Sequence, residues 1–236
     1  MTSQNILSYP TVKLLIYFHT LSNIFIIYDL KNFLLFAFAS LMLNIAPGPD
    51  MLYVASRSAG QGIKAGIVSS LGIFVGCFVH ILAAVLGISA LLAQSATAFN
   101  VVKWAGALYL IYIGFQSLLS KGGQFQVKSE GLEIPLWTLF RQGVVTNVLN
   151  PKVAIFFLAF LPQFIQPENG YVSMQILFLG LWFDFSGTVT LILVALMFGR
   201  LGDWLARYPG FVRWQEKIMG SVLVYLGLRL AFLDKK

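Results

Sequence analysis

The chain has 236 residues, of which 58% are hydrophobic and only 11% are charged, and its mean hydropathy is +0.81. Soluble domains carry about 25% charged residues, and a soluble fold of this size could not cover so much apolar surface with polar groups, so the composition excludes a soluble globular domain. The net charge of +7 does not indicate a nucleic-acid partner, because Lys and Arg lie between apolar runs, where lipid headgroups account for them.

The first 29 residues precede the first apolar run of full length. Residues 14–28 are apolar but short, and polar residues interrupt them, so they predict neither an ordinary signal peptide nor a full span. We interpret residues 1–29 as an N-terminal extension, which is either a short extra apolar segment or the result of a start site placed too far upstream. The functional unit then begins near Tyr28.

Six apolar runs follow, and together they predict a six-helix domain over residues 30–236. A spanning helix needs about 20 apolar residues. The runs do not alternate apolar with polar residues as barrel strands do, so helices are favoured. Between the last two runs, residues 199–217 mix arginines with apolar residues, which is typical of a short helix lying among headgroups. The runs cover residues 30–57, 63–93, 101–119, 143–165, 172–198 and 218–232.

Basic residues predict the orientation of the domain, because loops rich in Lys and Arg face the cytoplasm. The side predicted to face away from the cytoplasm carries the fewer basic residues: Lys31, Lys103, Lys235 and Lys236, with Arg229 near it. Both ends of the core are then expected outside. The first, third and fifth connections are predicted to be cytoplasmic, and they carry Arg57, Lys64, Lys121, Lys128, Arg141, Arg200, Arg207, Arg213 and Lys217.

The two halves of the chain resemble each other, over residues 30–120 and about 137–236. Each opens with a proline-broken helix, at Asn44-Ile-Ala-Pro47-Gly48-Pro49-Asp50 and at Asn147-Val-Leu-Asn150-Pro151-Lys152. The last predicted helix of each half has Lys-x-x-Gly near its start and Tyr-x-Gly towards its end. Because each half has three predicted helices, the second copy enters the membrane from the opposite side, as in many secondary transporters. The alternative is a chance likeness between apolar segments. The predicted fold is an all-α membrane protein with two inverted three-helix repeats.

The first break is the strongest candidate site. Pro47 and Pro49 remove two backbone donors, and Gly48 between them permits unusual dihedral angles. The freed carbonyls need partners in hydrocarbon, from neighbouring helices, water or a bound substrate. The alternative is a structural kink or a helix end at the interface. Asp50 is a candidate to bind a substrate ammonium group or a proton, or to cap the next helix.

The second break adds amides and a cation. Asn147 and Asn150 offer both donors and acceptors, and Lys152 is a candidate to attract a carboxylate, to pair with Asp50 or to reach the interface. Asp184, inside the fifth run, is a candidate proton carrier, or it bonds a neighbouring helix. His80 is interpreted as a packed or lightly bonded side chain, and Arg141 and Gln142 as interfacial. Small faces for close helix packing are expected at Gly62, Gly66, Gly72, Gly76, Gly180 and Gly187.

The Asn-x-x-Pro-Gly-Pro-Asp stretch and residues 147–164 resemble the LysE/RhtB family of amino acid exporters, over residues 28–232. The resemblance implies efflux of amino acids or close derivatives across the bacterial inner membrane, driven by the proton gradient. Family members begin just before the first helix, which favours the interpretation of residues 1–29 as an extension. The residues that match the two family motifs are Asn44, Pro47, Gly48, Pro49, Asp50, Asn147, Asn150, Pro151 and Lys152.

The leading hypothesis is therefore a proton-coupled amino acid exporter that works by alternating access around the two breaks, with Asp50 or Asp184 exchanging a proton. Its expected partners are the amino acid, protons and the lipid bilayer, and the oligomeric state stays open, a homodimer included. An exporter of a metal or other small ion needs clustered ligands, and the chain has one Cys and two His. A membrane assembly protein without transport is a further alternative.

Enzyme classes fit the sequence less well, and no cofactor or metal is expected. A thiol-disulfide carrier needs two cysteines, and Cys77 is the single cysteine. An intramembrane serine protease needs a Ser/His pair, and no serine stands in a recognisable nucleophile context. The sequence does not select which amino acid is exported.

Overall fold

A computed structural model describes residues 30–94, 96–119, 133–207 and 209–232, and no strand occurs in these ranges. The expectations for residues 1–29, for the polar connection 120–132 and for the last four residues lie outside them. The helices are α1 (Leu30–Ile45), α2 (Pro49–Gln61), α3 (Ile63–Gln94), α4 (Ala96–Leu119), α5 (Leu136–Val148), α6 (Pro151–Ile155), α7 (Val172–Arg207) and α8 (Pro209–Phe232).

Both predicted helix breaks are present. Helices α1 and α2 meet at an angle of 51°, and α5 meets the segment Pro151–Phe164 at 43°. Pro49 and Pro151 are each the first residue of the following helix, where a missing N–H costs no hydrogen bond. After α6 the chain continues as a π-helical turn, Phe156–Phe160, and a 3-10 turn, Leu161–Phe164.

The helices are those of a membrane protein. In α3 and α7, the stretches Ile63–Gly87 and Val172–Arg200 are long and apolar enough to cross a bilayer, and counting each bent pair as one span raises the number to four. Helix α4 holds a shorter apolar stretch, Trp104–Leu119. Six spans stay a prediction. Large apolar side chains such as Phe38, Leu82, Leu86 and Phe185 are more than half exposed, which suits contact with hydrocarbon.

The order of elements repeats in the two halves. A broken helix, a long helix of 32 residues and a helix of 24 residues make up the first half. A second broken helix, a helix of 36 residues and another of 24 residues make up the second half. This order favours duplication, and the inversion of one copy stays a prediction.

The separate headgroup helix expected at residues 199–217 is wrong. Helix α7 continues to Arg207 and α8 already begins at Pro209, so this segment is the end of one long helix and the start of the next. Its arginines and leucines are good helix formers, and Pro209 stands at a first helical position, where proline is tolerated. The fourth run likewise starts earlier than predicted, at Leu136.

Close helix crossings at glycines hold the centre together. Helix α3 packs against α5 and α7, and a Cβ atom on Gly72 would overlap the carbonyl oxygen of Phe140. A Cβ atom on Gly76 would lie 2.7 Å from the carbonyl oxygen of Val144, so the backbones of α3 and α5 touch at both glycines. The packing role predicted for Gly62 is wrong. This glycine turns the chain between α2 and α3 with a φ of 84°, and a Cβ atom added to it would meet no atom within 4 Å.

We expect the substitution Gly72→Ala to destabilise the protein by about 2 kcal/mol, because the added methyl group forces α3 and α5 apart. The matched control is Gly87→Ala on the same helix, where a Cβ atom meets nothing within 4 Å. Thermal unfolding of the purified proteins in one detergent measures the difference. Equal transition temperatures for the two variants would contradict the crossing.

Candidate functional site

The two helix breaks lie against each other inside the protein. Asp50, Asn147, Asn150 and Lys152 are all buried. The Asn147 side chain donates a hydrogen bond from Nδ2 to Oδ2 of Asp50 at 2.8 Å, which joins the two motifs directly. The structure therefore brings together residues that are 97 positions apart in the chain.

In the first break, a lysine from the second half replaces the donor that proline lacks. In a continuous helix the N–H at position 47 would bond the carbonyl of Leu43, but Pro47 has no N–H. Lys152 donates from Nζ to that oxygen at 3.1 Å and to the carbonyl of Ala46 at 2.8 Å. These carbonyls lie at the negative end of the α1 dipole, so a cation suits the position.

In the second break, a histidine from the first half has the same role. In a continuous helix the N–H at position 151 would bond the carbonyl of Asn147, but Pro151 has no N–H, and the N–H of Asn150 bonds that carbonyl at 2.9 Å instead. Nε2 of His80, on α3, lies 2.9 Å from that oxygen. Because a carbonyl oxygen only accepts, the ring donates from Nε2. The sequence predicted a packed or lightly bonded His80, and the structure supplies its partner.

Asn44 ties the first broken helix to α7. Its Nδ2 atom donates to the carbonyl of Phe183 and to Oγ of Ser186, each at 3.1 Å. A Cβ atom on Gly187 would lie 3.1 Å from Oδ1 of Asn44, so the absence of a side chain there leaves room for the amide. This contact places α1 next to Asp184.

Backbone geometry explains most of the remaining motif residues. Gly48 leaves space for Lys152, since a Cβ atom there would lie 3.1 Å from Nζ. Asn150 caps α6, accepting a hydrogen bond at Oδ1 from the backbone N–H of Lys152 at 3.0 Å. Pro47, Pro49 and Pro151 break the helices and do not line the cavity described next.

A cavity of about 30 Å³, which we call the central cavity, lies between the two breaks and α7. One water needs at least about 10 Å³ on the same measure, so the cavity has room for about two waters and is far smaller than the roughly 300 Å³ at which small-molecule pockets begin. Its walls are partly apolar. The lining residues are Asn44, Asp50, Met51, Ile73, Cys77, Asn147, Lys152, Val153, Phe183, Asp184, Gly187, Thr188 and Leu191.

Four oxygens on residues that line this cavity have no hydrogen-bond partner among the described residues: Asp50 Oδ1, Asn147 Oδ1, Asp184 Oδ2 and Thr188 Oγ1. Buried polar atoms are nearly always bonded, so such a cluster indicates groups that bind something else. Among the described residues there is no group of three side chains suited to a metal ion.

Besides apolar residues, the cavity is lined by Thr188 and Cys77, neither of which the sequence predicted as a site residue. Thr188 lies four positions after Asp184 on α7, so a helical-spacing argument from that carboxylate could have found it. Cys77 lies beside Asp184, and nothing in the sequence indicates that contact.

Comparisons with known proteins identify the family of the chain. The family model for LysE type translocators matches residues 41–233. An uncharacterized membrane protein of Vibrio cholerae serotype O1 is 31% identical over 208 residues, which cover 86% of this chain and 98% of that protein. No solved structure matches the chain significantly.

Two relatives from Salmonella typhimurium carry functional names. The homoserine/homoserine lactone efflux protein is 29% identical over 197 residues, which are 81% of this chain and 92% of that protein. The leucine efflux protein is 24% identical over 211 residues, which are 88% of this chain and 98% of that protein. With the family model matching most of its length, this chain belongs to the LysE type translocator family.

Proposed function

We propose that this protein exports an amino acid with a neutral side chain across the bacterial inner membrane, as a multi-pass transporter coupled to protons. The observation that carries the proposal is the buried junction of two broken helices, where oxygens without partners surround a small cavity. The efflux functions in the names of the relatives support a transporter of amino acids or their derivatives rather than an enzyme.

The charges at the junction complement a zwitterion. Asp50 keeps Oδ1 without a partner, and this atom suits a substrate ammonium group. An ammonium group has three donors, and Lys152 uses two of them on carbonyl oxygens, so one remains for a substrate carboxylate. The apolar part of the wall suits an uncharged side chain, and it consists of Met51, Ile73, Val153, Phe183 and Leu191.

The cost of burying charged side chains also favours a functional role for these residues over a role in packing. One charged side chain at the centre of a membrane helix costs about 3 kcal/mol on insertion scales. Asp50, Lys152 and Asp184 are all buried, and apolar residues would fill the same space without that cost. We assign the proton to Asp184, because this residue lines the cavity, its Oδ2 atom has no hydrogen-bond partner among the described residues, and it takes no part in the hydrogen bond between Asp50 and Asn147.

The small size of the cavity supports alternating access as the mechanism of transport. An amino acid does not fit into about 30 Å³, so transport requires the junction to open on each side in turn. The segment after Lys152 is suited to move, because π-helical turns depart from regular α-helical bonding and are frequent at functional sites. In this mechanism the two broken helices move against α3 and α7.

A strain that lacks the gene is expected to accumulate the substrate. Cells fed dipeptides of leucine, homoserine or lysine release the free amino acid inside, and we expect the deletion strain to hold more leucine or homoserine than the parent. Amino acid analysis of cell extracts measures the intracellular leucine and homoserine, and a deletion strain with the gene restored on a plasmid is the control. Equal pools of every amino acid in the two strains would contradict amino acid export.

Replacing Asp50 by Asn is expected to reduce efflux at least about tenfold, because the site loses a charge-assisted bond to the substrate ammonium group. Asn fills the same space, so the protein should still fold. The matched control is Glu168→Gln, which removes a carboxylate from an exposed turn and should leave efflux unchanged. Full efflux by the Asp50 variant would remove this residue from the mechanism.

Replacing Asp184 by Asn is expected to separate exchange from proton coupling. In proteoliposomes, exchange of labelled leucine for unlabelled leucine should continue, because it needs no net proton movement. Accumulation driven by a pH gradient should fall at least about tenfold, since the proposed proton carrier is absent. Accumulation at the wild-type level would place the proton site elsewhere.

A further inference from the structure

A second, larger cavity lies between α2 and α5. It measures about 530 Å³ and opens at the surface of the protein. We call it the vestibule, with walls formed by Tyr53 and Arg57 of α2 and by Thr138, Arg141, Gln142 and Thr146 of α5. Its volume lies within the range of about 300–1,000 Å³ that small-molecule sites occupy.

The vestibule is positively charged. Among the described residues that line it, two are arginines and none carries a carboxylate. The Arg57 guanidinium lies over the ring of Tyr53 at 5.5 Å and donates from one terminal nitrogen to Oε1 of Gln142 at 3.5 Å. Its Nε atom is buried without a hydrogen-bond partner. The guanidinium is thus held in place by Tyr53 and Gln142, and no carboxylate among the described lining residues compensates its charge.

The neighbours of Arg57 are themselves fixed. The Tyr53 hydroxyl donates to the carbonyl of Leu139 at 2.7 Å, which joins α2 to α5. Gln142 accepts from Arg57 on the same side of this junction. Arginine presents a planar set of donors that matches a carboxylate with two parallel hydrogen bonds. A preorganised guanidinium in an open cavity of this size therefore suits a small carboxylate ligand.

The vestibule and the central cavity share the same two helices. Tyr53 and Arg57 follow Asp50 by three and seven positions on α2, so they lie about one and two turns from it on the same face. On α5, Thr146 lies directly before Asn147. A ligand in the vestibule therefore lies about one to two helical turns from the junction of Asp50 with Asn147.

We propose that the vestibule is an intake site that binds the carboxylate of the exported amino acid through Arg57 and Arg141 before the central cavity opens. The inference rests on the proposed function and names where its substrate first binds. Arg57 lies in the last turns of α2 and Arg141 in the first turns of α5, next to the connections that the charge distribution predicts to be cytoplasmic. The cytoplasm is the side from which an exporter takes its substrate.

The test measures uptake of labelled L-leucine and L-homoserine into inside-out membrane vesicles, where the cytoplasmic face is outside. Arg141→Gln should raise KM about fivefold with a smaller change in Vmax, because an exposed charge pair is worth up to about 1 kcal/mol. Arg57→Gln, at the more buried position, should raise KM further. Arg141→Lys should recover only part of the loss, since lysine keeps the charge without the paired donors.

The matched control is Lys64→Gln, which removes an exposed cation near the start of α3, on the same predicted side and outside the vestibule. It should leave KM unchanged. Arg141 is exposed, so its replacement should keep the fold, and thermal unfolding checks this. An unchanged KM in both arginine variants would overturn the intake site, and so would a rise in KM in the Lys64 variant equal to that in the arginine variants. In either case, transport of the amino acid by the wild-type protein still supports the proposed function.

A lipid phosphate is the competing ligand for these arginines. Liposomes made of phosphatidylcholine alone and with added phosphatidylglycerol separate the two. If the arginine variants raise KM by the same factor in the two kinds of liposome, the carboxylate site is supported. If they raise KM only in liposomes with the anionic lipid, the carboxylate site is overturned. If the wild-type protein carries no amino acid in either system, the proposed function fails and the intake site with it.

Discussion

The structure depends on side-chain donors that reach two carbonyl groups across the fold, where proline removes the backbone N–H that a continuous helix would supply. Each carbonyl also accepts a backbone N–H from three residues further along, from Ala46 at Leu43 and from Asn150 at Asn147. In both cases a side chain supplies the second donor. Lys152 serves the break of the first half, and His80 serves the break of the second. Each donor therefore comes from the half of the chain opposite to the break that it stabilises.

This exchange of donors fixes the geometry of the candidate site. Because Lys152 is held by the end of α1, its charge stands at the junction where Asp50 meets Asn147. The packing around it leaves little freedom, since Gly48 leaves just enough room for the ammonium group. The residues whose oxygens remain without partners line one small cavity. The proposed site for a small zwitterion therefore lies where the side chains of each half bond the broken helix of the other.

The sequence predicts the local parts of this arrangement and few of the long-range ones. Proline breaks are visible because the missing N–H acts within one turn of the helix. The contact of Asp50 with Asn147 and the partner of His80 depend on packing between helices, which one sequence does not encode in any short pattern. The headgroup helix was wrong because amphipathic composition does not show where a long helix ends. Gly62 was wrong because spacing alone does not separate a turn glycine from a packing glycine.

The exchange of donors also has a consequence for the biogenesis of the chain. The carbonyl of Leu43 receives its second donor from a lysine that is 109 residues further along, so this part of the chain is synthesised before that donor exists. Until then the N–H of Ala46 is the donor that the structure gives this carbonyl from the first half. A protein cut in the connection between the halves is therefore expected to form the bond to Lys152 only when both pieces meet in the same membrane.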